Sequence, residues 1–168
     1  MLFDMTVPQF IKMLHNLDLI LDKGAQLATE KKFEVDVLLN SRLTPNQFNL
    51  IKQVQIACDT AKLCAARLSG KEAPTHNDSE KTLPELKTRI AETISFLKTI
   101  TAADFKDAAT KHISQPRWEG KYLTGEEYVI HHAVPNIYFH VTTAYSILRH
   151  NGVEVGKKDY LGELPFKK

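Results

Sequence analysis

The sequence predicts an all-α protein, an up-down bundle of four long helices. Three observations carry this expectation: a helix-start signature that recurs four times, an apolar stripe after each signature, and glycines where two stripes end. The signature is a Thr followed three residues later by Gln or Glu: Thr6-Val-Pro-Gln9, Thr44-Pro-Asn-Gln47, Thr82-Leu-Pro-Glu85 and Thr124-Gly-Glu-Glu127. The Thr hydroxyl can cap the first turn while the longer side chain reaches back to the free backbone N–H. Pro8, Pro45 and Pro84 fall in the first turn, where a missing N–H costs nothing.

The first helix, expected over about 7–28, offers Phe10, Leu14, Leu17, Leu21 and Ala25 to a seam. The second, 45–69, offers Phe48, Ile51, Val54, Cys58, Ala61 and Ala65, and stops at Gly70. The third, 83–101, offers Leu83, Leu86, Ile90, Ile94 and Leu97. The fourth, 125–150, offers Ile130, Ala133, Ile137, Val141, Ala144 and Leu148, and stops at Gly152. Segment 104–123, which holds Arg117 and Trp118, is too long for a tight bundle turn. It reads as a lid, a short hairpin or a packing strap. Tyr160, Leu161, Leu164 and Phe166 in the tail 153–168 should lie against the bundle or a second subunit.

With 168 residues the chain suits a single domain, 1–168, around one core. Lys and Arg number 22 against 20 Asp and Glu, interspersed, so the net charge of +2 gives no footprint for nucleic acid. No apolar run reaches the roughly 18 residues of a membrane span, and the start does not read as a secretion signal. Cys58 and Cys64 sit on different faces of one helix and make no disulfide framework. The expected setting is the reducing cytoplasm, with no nucleic-acid or membrane partner.

The fourth helix carries a resemblance. Pro135-Asn-Ile-Tyr-Phe-His140, then Ala144-Tyr-Ser-Ile-Leu-Arg149, Gly152-Val and Asp159-Tyr-Leu-Gly162, resemble an uncharacterised bacterial family of the DinB/YfiT-like superfamily, regarded as metalloenzymes. Gln55-Ile-Ala-Cys-Asp59 and Arg67-Leu-Ser-Gly70 are similar to the same family. The resemblance implies a four-helix bundle with a long crossover before the fourth helix, and a homodimer. It also implies a divalent metal held by three His, one on the second helix and two on the fourth, used by some relatives for thiol transfer or isomerisation. The DinB name records induction by DNA damage and does not argue for DNA binding.

This chain departs from that pattern. His140 corresponds to the second His of the fourth-helix pair, and the first position falls on Asn136, a poor ligand for a transition metal. The second-helix position falls near Gln55 or Asp59, and no His lies on that helix. His132 lies eight residues before His140, about 12 Å along an ideal helix, too far for both to share one ion easily. Pro135 between them should kink the helix.

Two readings of different class follow. In the first, His140 and Asp59 hold a divalent metal (zinc, nickel, manganese or iron), with Gln55, Asn136, His132 and Tyr138 about a small-molecule ligand and His15 as an outlying candidate. Such a site would do metal-assisted transfer or hydrolysis, the metal acting as Lewis acid and Asn136 and Gln55 orienting substrate or water. Tyr138, Phe139 and Tyr145 would then form an aromatic wall, and Arg117 and Trp118 a cover. In the second, there is no metal, the same polar residues form a hydrogen-bonded network, and the protein binds or dimerises without catalysis. Both cysteines read as small core hydrophobes.

Overall fold

The computed structural model, described for residues 1–167, is all-α apart from one two-residue strand pair. Four long helical segments make the bundle: α1 (Leu2–Lys31), α3 (Leu50–Ser69), α4 (Leu83–Lys98), and a last rod. That rod joins α5 (Gly125–Tyr128), a π turn (Val129–Ala133) and α6 (Val134–His150). α1 packs on α4 and α6, and α3 packs on the same two helices, closing a ring around one core. Phe10, Leu14, Leu17, Val54, Ala61, Leu86, Ile137, Val141 and Ala144 are fully buried there.

Two of the four start signatures begin helices. At Thr124 the hydroxyl accepts from Glu127 N at 3.3 Å and the Glu127 carboxylate accepts from Thr124 N at 2.8 Å. At Thr82 the Glu85 carboxylate takes the Thr82 N–H at 2.9 Å. Thr6 instead lies inside α1, its hydroxyl donating to Leu2 O at 2.7 Å. The helix runs back to Leu2 because Phe3 finds Phe105 of the crossover, edge to face at 5.6 Å. Thr44 closes a turn, and Asn49 is the cap of α3, accepting from Lys52 N at 3.1 Å. Phe48 is therefore off the seam and 57% exposed. The long first link folds into α2 (Asp36–Leu39), which buries Leu38 and Leu39.

The crossover is a series of short 3-10 turns around a minimal hairpin, β1 (His112–Ile113) against β2 (Leu123–Thr124). Gly70 and Gly152 end α3 and α6 at φ 83 and 86, conformations an L side chain resists. Tail segment α7 (Lys157–Leu161) packs on α1 through Asn16 to Tyr160 O, 2.9 Å, and Lys23 to Asp159, 2.7 Å. Leu164 and Phe166, expected against the bundle, are exposed. Among the described residues no helix is long and apolar enough to cross a membrane.

Candidate functional site

Pro135 shapes the last rod. It has no N–H to give, and its ring crowds the carbonyl four residues back, so an ordinary α turn is penalised there. The chain answers with the π turn just upstream rather than a break. The extra residue rotates the stripe, burying Val129 and Ala133 and turning Ile130 outward, half exposed. In consequence Tyr128, His132, Asn136 and His140 line one pocket at four-residue intervals.

The facing wall is α3, which runs antiparallel: Arg67 meets Tyr128, Thr60 meets Asn136, and Gln53 meets His140. Gln115 and Arg117 of the crossover close one end, and Phe48 stands at the other elements' margin. The pocket opens to solvent and has a volume of about 360 Å³. Trp118 sets its ring edge against Tyr128 and His132 at 6.2 and 5.6 Å. Trp118 thus straps the wall from behind its rings.

The hydrogen bonds fix both tautomers. Gln53 Nε2 donates to Phe48 O at 3.0 Å, so Gln53 Oε1 is the atom 2.7 Å from His140 Nδ1. An amide oxygen only accepts; Nδ1 therefore carries the proton and Nε2 keeps its lone pair. Arg117 Nη2 lies 2.6 Å from His132 Nε2, and a guanidinium only donates, so His132 carries its proton on Nδ1. That Nδ1 is buried without a partner among the described residues, as is Gln115 Nε2. Asn136 Nδ2 donates to Thr60 Oγ1 at 2.7 Å, and Thr60 donates on to Ile56 O, which leaves the Asn136 oxygen as acceptor.

Burial pushes His140 down to about 4. Burial, then Arg117 and Arg67, also lower His132. Both rings are neutral at physiological pH. A proton–nitrogen correlation titration should find His140 uncharged until the pH nears 4. Because the unfolded chain protonates first, near the ordinary histidine value of about 6.5, stability from this site is full above that value. It is lost as the pH falls through the window down to the folded value. Protonation of His140 near its ordinary value would contradict the buried, Gln53-bonded ring.

Asp59 lines the pocket, but its Oδ1 is 2.7 Å from Arg89 and 2.9 Å from Lys62. The other expected residues lie elsewhere. Gln55 turns toward the link before α4 and donates to Glu80 at 2.9 Å. Tyr138 Oη accepts from Gln9 of α1 at 2.9 Å. Tyr145 reaches the tail at Val155 O, Phe139 is 56% exposed, and His15 is on the surface. The aromatic wall is not formed around this pocket. Both cysteines are fully buried, and burial pushes each thiol up to about 12, which leaves them unreactive core groups.

The donor set does not fit a divalent metal. Among the described residues no three His, Cys, Asp or Glu side chains converge as ligands. The one pocket carboxylate already faces two cations, which oppose a third positive charge on it. The site residues that the sequence reading passed over are Gln53, Thr60, Arg67, Gln115 and Tyr128, with Arg89 behind Asp59. Arg89 had a signal: it stands three residues after Leu86 on a seam, where a cation implies buried carboxylate partners.

This ring of four helical segments with a polar pocket between α3 and α6 is a DinB-like bundle. A model described as a domain of unknown function, DUF1993, matches residues 2–161, and the chain belongs to that family. It is similar to the crystal structure of a DinB family member protein from Shewanella denitrificans, with 64% identity and a TM-score of 0.97. The match covers 100% of this chain and 96% of that one. No curated protein matches the sequence significantly.

Proposed function

We propose that the protein binds a small molecule between α3 and α6, and that it does so without a metal ion. The observation that carries this reading is the pair of neutral imidazoles with fixed tautomers in one pocket of about 360 Å³. A ligand meets an acceptor at His140 Nε2 and, beside the buried His132 Nδ1–H, the Arg117 guanidinium that fixes that ring, each held in place before it arrives. Held groups lose little freedom on binding, which favours affinity. The volume suits a small metabolite rather than a large cofactor.

The metal-dependent reading makes the opposite prediction and is tested directly. Tag-free protein incubated with zinc, nickel, manganese or iron and then desalted should hold far less than one ion per chain by elemental analysis. His140→Ala should leave that content unchanged. About one tightly held ion per chain, lost in His140→Ala, overturns the metal-independent reading.

A further inference from the structure

We infer that the ligand of this pocket is a small organic anion whose carboxylate or phosphate oxygens sit at the end formed by Arg67, Arg117, Gln115 and His132. The inference deepens the binding proposal and rests on it. Two guanidinium groups line that end. Among the described residues neither is paired with a carboxylate; their side-chain contacts are Tyr128 Oη at 2.8 Å and His132 Nε2 at 2.6 Å. Each guanidinium has five N–H donors in a planar fork, so both keep donors to spare.

Neutral donors add to them. Tyr128 Oη accepts from Arg67, which leaves its own O–H to give. His132 Nδ1 and Gln115 Nε2 are buried donors without partners among the described residues. An orphaned buried donor is costly, so two of them beside two arginines call for acceptor oxygens. Asp59 does not cancel this field, because Arg89 and Lys62 hold its Oδ1. The other end has the opposite character: Asn136 Oδ1 and His140 Nε2 are acceptors. The pocket is thus graded from donors to acceptors, and a hydroxylated organic anion matches both ends.

The test follows the His132 and His140 imidazoles by proton–nitrogen correlation while glycerate, glycerol phosphate or uncharged glyceramide is added at millimolar concentration. At least one anion should shift His132, and Arg117→Gln or Arg67→Gln should weaken that anion about ten- to a hundredfold, the usual loss of a charged hydrogen bond. Arg117 is a surface residue, so its variant keeps the test open if Arg67→Gln fails to fold. Which anion binds more tightly separates a carboxylate from a phosphate ligand. Glyceramide binding as well as glycerate, or anion binding unchanged in both variants, would overturn the anion inference and leave the pocket a ligand site. No shift of either imidazole with any of the three would overturn both.

Discussion

Arg89→Met should cost about 3 kcal/mol of stability at neutral pH, the low end of the ~3–5 kcal/mol expected when one partner leaves a buried ion pair. Arg89 is 1% exposed and spans three carboxylates: Asp59 at 2.7 Å, Asp78 at 2.7 Å and Glu80 at 2.9 Å. Removing the guanidinium leaves those charges facing one another between α3 and the link that precedes α4. The low end applies because Asp59 and Asp78 remain 32% and 36% exposed and can recruit water. Lys52 and Lys62 also stay, at 2.5 Å from Asp78 and 2.9 Å from Asp59.

The pH dependence gives this prediction its second readout. Burial works to raise Asp78 and Glu80, but hydrogen bonds from Lys52 to Asp78 and from Arg89 to both outweigh it, and both carboxyls sit below their ordinary values. A depressed carboxyl contributes stability above its unfolded value and loses it as the pH falls through the folded value. Wild type should therefore weaken in acid, and Arg89→Met should weaken less, so their urea midpoints converge as the carboxyls protonate. Arg89→Lys should fall between them, since a single ammonium cannot span three carboxylates. A Met variant within about 1 kcal/mol of wild type at neutral pH would mean the two lysines alone balance the cluster.

Part of the pocket is legible in the sequence, for a physical reason. A helix fixes which residues share a face, so the four-residue step from Asn136 to His140 put both on one wall, while Asp59 was set opposite them by the family resemblance and not by spacing. Spacing does not fix phase across an irregular turn, and the π turn before Pro135 is what moved Ile130 out and brought His132 in. The two misread capping signals share a cause. A Thr hydroxyl can accept from the next turn or donate to the previous one, and only the apolar partner of Phe3 decides that Thr6 does the latter. At Thr44 a better-placed cap, Asn49, won. Gln115 lies on a crossover without periodicity, so its place on the donor end followed from no pattern, whereas Arg117, expected as a cover, does line the pocket. Arg67 is a different case: it is on α3 at four-residue steps from Leu63, yet an arginine near a helix end usually reads as a solvated cation at the negative end of the dipole.

That crossover is held at one point by the absence of a side chain, and Gly125→Ala should expose how tightly. A methyl group at Gly125 would run into the backbone carbonyl oxygen of Ala108, well inside contact distance, and also meet Leu68 Cδ2 at 3.0 Å. Ala108 is fully buried, so its carbonyl cannot swing away as the tip of a side chain would. The expected cost is about 3 kcal/mol, the top of the ~1–3 kcal/mol range for overpacking, against at most about 1 kcal/mol returned by alanine's helix preference. The pocket should suffer with the fold. Gly125 opens α5, which runs directly into the π turn bearing His132, and the displaced strand of crossover leads on to Gln115 and Arg117. The Arg117 to His132 bond should loosen and the His132 imidazole signal should move toward its solvent-exposed position. Gly120→Ala is the control: at φ 84 it strains the backbone but meets nothing within 4 Å. It should cost only about 1 kcal/mol and leave His132 unmoved. Equal losses at the two glycines would mean the crossover shifts freely beside α5, and a wall that shifts freely could not hold two donors ready for an anion.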